Sequence, residues 1–269
     1  MKNIKISIII INYNGGQLLN RCVESIKKNI TISFEIIIID NGSQDNSIEK
    51  FIDDKNVKVI LNNDNLGFSK ANNIGASISN GELIHFLNPD CIINESINEV
   101  YRFHLDSRQD NVGVTNLKYE DGSSQKSKHI IPNPVNIFKK ILHLKKVNYW
   151  YLGASIIVPK KIFLKIGGWS EEFFMYAEDL DFFHKVNKIN ISIFEHKQSI
   201  IHLSEGITKI KWKEMKRFEL KEKSTKKFFK KNFSITSYQF SFLLLLFYRI
   251  IFIPKLAKLQ IRYLFKSEK

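Results

Sequence analysis

Two short acidic turns close apolar runs in this chain. Residues 86–90 read Phe-Leu-Asn-Pro-Asp, and the turn holds Asp90, with Asn88 before it, just past the run 83–87. At the C-terminal edge of an open α/β sheet, where ligands bind, such a carboxylate can hold a divalent cation against a diphosphate. Asp40, in Ile39-Asp40-Asn41-Gly42-Ser43, ends an earlier run in the same way. Two carboxylates at one sheet edge suit a nucleotide, one accepting from base or ribose and the other holding the cation; an Asp-Asn-Gly-Ser sequence is equally an ordinary turn and helix cap. Asn12, Tyr13 and Asn14, followed by Gly15 and Gly16, leave the first run with amides and an aromatic face against which a nucleoside can stack. Gly67 and Asn72 belong to a stretch that brings backbone amides to a helix start, where an anion is welcome. Neither a Walker loop nor the dinucleotide glycine pattern is present.

Glu178, Asp179 and Asp181 form a second acidic cluster, behind Phe173-Phe174-Met175-Tyr176. A carboxylate in the first turn of a helix, beside aromatics that limit water, can serve as a general base. Capping acids on a solvated face are the plainer alternative. His202 closes an apolar strand, where a lone histidine is either a structural residue or a metal ligand.

The elements that must carry these residues alternate. Runs at 4–11, 34–39, 57–61, 83–87 and 112–115 are short and rich in Ile, Val and Leu, which suits strands buried on both faces. Stretches 17–28, 44–53, 69–79 and 95–106 have helical spacing, with Leu18, Cys22 and Ile26 recurring every four residues. The rhythm predicts an α/β fold with a mostly parallel sheet and right-handed crossovers. From 119 to 148 the pattern fades around Pro132 and Pro134, which reads as a mobile loop able to cover a site. Beyond it come a strand at 151–158 containing Gly153 and Ala154, a helix at 160–166, the turn Gly167-Gly168, and strands near 191–194 and 199–202. The N-terminal apolar run reads as a buried first strand rather than a signal peptide. Cys22 and Cys91, the two cysteines, argue for a reducing compartment.

The formal charge of +14 is unevenly spread. Residues 1–204 carry 24 Lys/Arg against 22 Asp/Glu, and residues 205–269 carry 17 against 5. The basicity therefore belongs to a tail, with a basic helix expected at 209–231, including Trp212, and an apolar stretch at 240–253. The stretch's fourteen residues, interrupted by Arg249, fall short of the ~20 that span a bilayer. An amphipathic helical tail lying at an anionic membrane surface fits better, and no nucleic-acid motif accompanies the charge. The division expected is a catalytic domain over 1–204 and a basic, membrane-associating helical tail over 205–269.

In combination the motifs resemble the family 2 glycosyltransferases, and within them the bacterial rhamnosyltransferase-like branch. The matching segments are 8–14 (IIIINYN), 38–43 (IIDNGS), 65–75 (NLGFSKANNIG), 86–90 (FLNPD), 152–155 (LGAS), 167–169 (GGW), 173–181 (FFMYAEDLD) and His202. They run in the family's order over about residues 4–204. The resemblance implies a nucleotide-diphospho-sugar-binding sheet of GT-A type and inverting transfer of a sugar to an acceptor hydroxyl. By position, Asp40 would bind the base, with Asn12 and Tyr13 lining the nucleoside pocket, Asn72 nearby, and Asn14 and Gly67 also binding the nucleotide-sugar. Asp90 matches the second acid of the family's metal motif, where Asn88 replaces the first, and His202 would complete the shell of a Mg²⁺ or Mn²⁺ ion. Asp179 matches the base of an acidic pair with Glu178. Gly153, Ala154 and Trp169 would meet the acceptor, Trp169 as a stacking surface. The donor implied is a nucleotide-diphospho-sugar, with thymidine-diphospho-rhamnose favoured. The acceptor would be lipid-linked or a polysaccharide, made at the inner face of the plasma membrane. A sugar nucleotidyltransferase and a non-catalytic carbohydrate-binding or scaffold protein are the alternatives; the first lacks its triphosphate-gripping signature, and the intact acids argue against the second.

Overall fold

The computed structural model describes residues 4–107, 110–203 and 214–266. Residues 204–213, with Trp212 and the start of the expected basic helix, lie outside them.

The strands are β1 (Ile6–Asn12), β2 (Phe34–Asp40), β3 (Val57–Leu61), β4 (Leu83–Leu87), β5 (Cys91–Ile92), β6 (Asn111–Lys118), β7 (Ser124–Gln125), β8 (Lys128–Ile130), β9 (Tyr149–Tyr151), β10 (Ser155–Pro159) and β11 (Ser192–His202). The helices before the tail are α1 (Gly16–Asn29), α2 (Glu49–Ile52), α3 (Phe68–Ser77), α4 (Ile97–Asp106), α5 (Pro134–Ile141), α6 (Lys160–Lys165) and α7 (Glu178–Lys188). The main sheet runs β3-β2-β1-β4-β10-β6-β11-β5, with β7 beside β6, while β8 and β9 form a separate ribbon. It is mixed: β3-β2-β1-β4 and β6-β11 pair parallel, whereas β10 runs antiparallel to both β4 and β6, β5 to β11, and β7 to β6.

The isoleucine runs sort by the two-residue pleat. Ile6, Ile8, Ile10, Ile36 and Ile38 face Leu19, Cys22 and Ile26 of α1 and Val100 and Tyr101 of α4. Ile9, Ile37 and Ile39 face Ala71 of α3, Phe163 of α6 and Phe182 and Phe183 of α7. Helices on both sides explain why these strands read as unbroken apolar runs.

Register places the site. Asn12 pairs with Asp40 at the ends of β1 and β2. Ser155 pairs with Leu87, so Gly153 and Ala154 arrive beside Asn88. His202 pairs with Cys91, next to Asp90.

Several local expectations are corrected. The stretch 119–148 contains β7, β8 and α5 rather than an unstructured loop, with Asn133 capping α5 through Asn136 N–H. The strand expected over 151–158 is two strands interrupted at 152–154, and those near 191–194 and 199–202 are one strand with a register shift between Glu195 and Ser199. The second helix shrinks to four residues, because Ser43, Asp45 and Ser47 are engaged in turn contacts ahead of it.

The tail forms α8 (Glu214–Asn232), α9 (Ile235–Phe252) and α10 (Pro254–Lys266). Pro254 cannot continue α9 and opens α10 instead. Phe228 and Phe229 of α8 pack with Phe173, Ala177 and Leu180, so the tail shares a core with the approach to α7. Asp181, with no exposed surface, accepts from Asn232 Nδ2 at 2.9 Å and from Lys231 Nζ at 3.2 Å. On the other side of α9, Phe240, Leu243, Phe247 and Ile250 recur at helical spacing and are exposed, Phe247 at 69%. Among the described residues no helix is long and apolar enough to cross a membrane.

Candidate active site

The end of β2 is rigid before any ligand arrives. Asp40 Oδ1 accepts from Asn12 Nδ2 at 2.7 Å and from Ser43 Oγ at 2.6 Å, and Oδ2 accepts from Ser43 N at 2.9 Å. A carboxylate offers about four acceptor positions, which leaves one on Oδ2 for an N–H or O–H of a ligand. Asn12 is wholly buried and also reaches Ser47 Oγ at 2.8 Å. It therefore does not line a nucleoside pocket, as position suggested, but orients Asp40 from below. Gly15 beside it is obligatory, since a Cβ there would stand 2.4 Å from Asn12 Oδ1. Asn14 ties two loops together: its N–H donates to Ser43 Oγ at 2.8 Å and its Oδ1 accepts from Gln44 N at 2.7 Å. Tyr13 stands half-exposed between them.

The expected anion cradle before α3 is corrected as well. Gly67 N–H donates to Asn65 Oδ1, Phe68 N–H donates to Phe174 O, and the buried Asn72 side chain donates back to Phe68 O. These groups are already satisfied by the protein. Gly67 is needed for another reason: at φ +81° it lets Phe174 approach, and a Cβ would lie 2.7 Å from the Phe174 carbonyl oxygen. The buried Asn41, which sequence reasoning passed over, links the ends of β2 and β3 to this loop through Asn62, Asn65 and Gly67.

At the end of β4, Asn88 N–H donates to Ala154 O at 2.9 Å, and its side chain faces an open cavity. Asp90 Oδ1 lies 3.3 Å from His202 Nε2. His202 Nδ1 lies 2.9 Å from Gln125 Oε1, and when Nδ1 donates to that oxygen the Nε2 lone pair is available on the Asp90 side. A carboxylate oxygen and an imidazole nitrogen this close can share a divalent cation. Cys91 Sγ belongs to the same cluster. Burial, and next the charge of Asp90, push its thiol well above the ordinary range, and it donates to Ala154 O, so it stays a neutral thiol. Gln125 sits in the stretch expected to be a loop, and no sequence signal marked it.

The acidic pair opens α7. Tyr176 and Ala177 both sit at φ +65°, a conformation that costs residues with a Cβ of order 1–3 kcal/mol each. That kink turns Glu178 and Asp179 into the cavity, where both are half-buried. Asp179 Oδ1 accepts from Leu180 N at 2.8 Å and Oδ2 from Gly153 N at 3.3 Å. Burial raises its carboxyl to about 6, opposed by these N–H donors and by the charge of Lys221 on α8. Burial and the Asp179 charge push Glu178 well higher, and Glu178 Oε2 has no hydrogen-bond partner. Glu178 is thus kept neutral while Asp179 can ionise near neutral pH, a separation suited to one base. The third acid, Asp181, points away and is consumed by the tail contacts.

Of the expected acceptor residues, Gly153 and Ala154 both line the cavity, Ala154 with little exposed surface. Trp169 is not a stacking surface. It is 1% exposed, enclosed by Phe68, Phe86 and Phe182, and its backbone is clamped by the Asn73 amide, which bonds both Trp169 N and O at 2.9 Å.

A mixed sheet with a carboxylate closing β2, an Asn-Pro-Asp turn closing β4 and an acidic helix start above them defines a GT-A fold. Solved structures agree: S. aureus TarS 1–349 in complex with UDP-GlcNAc superposes with TM-score 0.57 at 19% identity, covering 84% of this chain and 73% of that one. GalNAc-T7 with UDP, GalNAc and Mn²⁺ gives 0.59 at 18% identity, covering 74% and 43%. Residues 7–167 match the model of glycosyl transferase family 2, and the chain belongs to that family. Among curated relatives, the low-salt glycan biosynthesis hexosyltransferase Agl10 of Haloferax volcanii is 27% identical over 203 residues, 70% of this chain and 63% of that protein. Glycosyltransferase GlyG of Streptococcus pneumoniae is 33% identical over 122 residues, 44% of this chain and 40% of that protein. The chain thus spans less than two thirds of either relative's length.

Proposed function

We propose that the chain is an inverting glycosyltransferase that moves a sugar from a nucleotide-diphospho-sugar to a hydroxyl of a lipid-linked or polysaccharide acceptor in surface glycan assembly. One observation carries this: Asp179, with its raised pKa and a neutral Glu178 beside it, lines the same cavity as Asn88 and His202. Asp179 takes the acceptor proton while that oxygen bonds to the anomeric carbon. The bond from that carbon to the diphosphate oxygen breaks on the opposite face, and the diphosphate leaves with its electron pair. Asp40 holds the base through its remaining acceptor position. Asp90 and His202 would hold Mg²⁺ or Mn²⁺, which when bound neutralises charge on the departing diphosphate. Thymidine-diphospho-rhamnose is the donor favoured by motif resemblance. The exposed stripe on α9 and the tail's basic residues support docking at the inner face of the plasma membrane.

A panel of nucleotide sugars tested for thermal stabilisation, with and without Mn²⁺ or Mg²⁺, followed by donor hydrolysis, tests the assignment, because a bound donor raises stability through linkage. Stabilisation and slow hydrolysis by one donor are expected. Stabilisation without any hydrolysis or transfer would instead favour a non-catalytic binding protein.

A further inference from the structure

The cavity that holds Asn88, Asp179 and His202 does not end at the sheet. Its volume is about 1210 Å³, more than the ~300–1,000 Å³ of a small-molecule site, and it continues between α5 and the tail helices. The two ends differ in chemistry. The far end is walled by Ile137 and Ile141 of α5, Phe242 and Leu245 of α9, and Ile253 and Leu256, with the Glu222–Arg249 ion pair, 3.8 Å apart, also on the lining. The lining also carries Lys126 and Lys221, whose charges both bear on the ring of His129 and, after burial, help depress it to about 4. Lys221 lies over the Tyr176 ring at 5.3 Å, and the acid that bears on it is Asp179 itself. Ile141, Tyr248 and Ile253 line the cavity and are exposed, so the far end is accessible from the surface carrying α5 and α9. That surface includes Phe138 and Leu142 on one side and Phe247 and Ile250 on the other.

We propose that this far half of the cavity seats the hydrocarbon chain of an amphiphilic acceptor drawn from the bilayer, with its phosphate between Lys126 and Lys221 and its sugar hydroxyl at Asp179. The proposal rests on the glycosyltransferase assignment above and commits to a lipid phosphate rather than a soluble polysaccharide. The lining chemistry supports it: apolar side chains for the tail, two cations near one ring for the phosphate, and Lys221 within electrostatic reach of the base for the hydroxyl. The tail of the protein is then part of the acceptor site and not merely an anchor.

The full chain is titrated calorimetrically with dodecyl phosphate, octyl phosphate, inorganic phosphate and dodecyl maltoside, all below their micelle concentrations. Dodecyl phosphate should saturate one site. Each buried methylene multiplies affinity about fourfold, so octyl phosphate should bind at least tenfold more weakly, and inorganic phosphate should show no saturation. Dodecyl maltoside, with the same chain and no charge, should also bind at least tenfold more weakly. Leu245→Glu should weaken dodecyl phosphate at least tenfold, and Lys221→Gln should erase most of the preference over maltoside. Equal binding of the phosphate and the maltoside, or indifference to both substitutions, overturns the proposal. Nucleotide-sugar stabilisation measured on the same samples keeps the two failures apart and verifies folding: its loss in wild type sinks the transferase assignment, whereas its persistence in Leu245→Glu beside unchanged alkyl phosphate binding sinks the lipid site.

Discussion

Asp179→Asn should remove activity and add stability in the same molecule. The carboxyl is raised from its ordinary 3.8 to about 6 by burial, so the folded state holds this proton more tightly than the unfolded chain does. The corresponding stability is fully present below the ordinary value and lost as pH rises through the raised one, a window of about pH 4–6. At neutral pH the loss amounts to ~3 kcal/mol as an upper figure. Asn carries no charge to bury but accepts less strongly from Leu180 and Gly153 N–H, which returns ~1–2 kcal/mol. The net gain at pH 7.5 is therefore ~1–2 kcal/mol, a Tm increase on the order of 4 °C at roughly 2–4 °C per kcal/mol. It should shrink at pH 5 and vanish or reverse at pH 4. Transfer should fall by about 10²–10⁴-fold, the usual contribution of a general base, while wild-type turnover rises with pH through about 6. Scanning calorimetry at the three pH values and a single-turnover transfer assay read both effects. A variant less stable than wild type at pH 7.5, or one that turns over normally, would refute the reasoning.

Three further outcomes follow from particular contacts. Ala177→Gly relieves the left-handed strain ahead of α7 and should gain about 1 kcal/mol, seen as a Tm rise of a few degrees by circular dichroism. Gln125→Leu removes the hydrogen-bond partner of His202 Nδ1 and should weaken Mn²⁺ about 10–100-fold by electron paramagnetic resonance of the bound ion; unchanged affinity would discard Gln125 as a positioning residue. Phe247→Asp, placed on the exposed stripe of α9, should lower association with anionic vesicles in flotation at least tenfold, since withdrawing one inserted aromatic side chain costs about 1.5–3 kcal/mol.

The central sheet was legible because parallel strands covered by helices on both faces show as plain isoleucine runs, and the ends of those runs announced Asp40 and Asp90. Orientation was not legible: β10 has the same apolar composition as its parallel neighbours, and only pairing reveals that it runs the other way. The stretch 119–148 escaped because its strands are two and three residues long and α5 leaves Val135, Phe138 and Ile141 exposed, so no buried periodicity survives. Among site residues, a motif gave position without direction. Asn12 and Trp169 fall in the matching segments yet point into the protein, and Asp181 shares a helix turn with Asp179 yet serves the tail.

The burial of Asp181 limits how this chain can be cut or recombined. Beside Ser170 and Lys185, its partners Asn232 and Lys231 come from a different part of the sequence, and removing them would take away the amide that Oδ1 accepts from and one of the two ammonium groups near Oδ2, at a cost of about 1–3 kcal/mol, a sizeable share of what a domain has to spare. A fragment ending at residue 204 would carry every motif and still be a poor enzyme preparation. Any chimaera that exchanges tails to alter acceptor preference must bring along an amide and an ammonium at those two helical positions, or replace Asp181 with a neutral side chain at the same time.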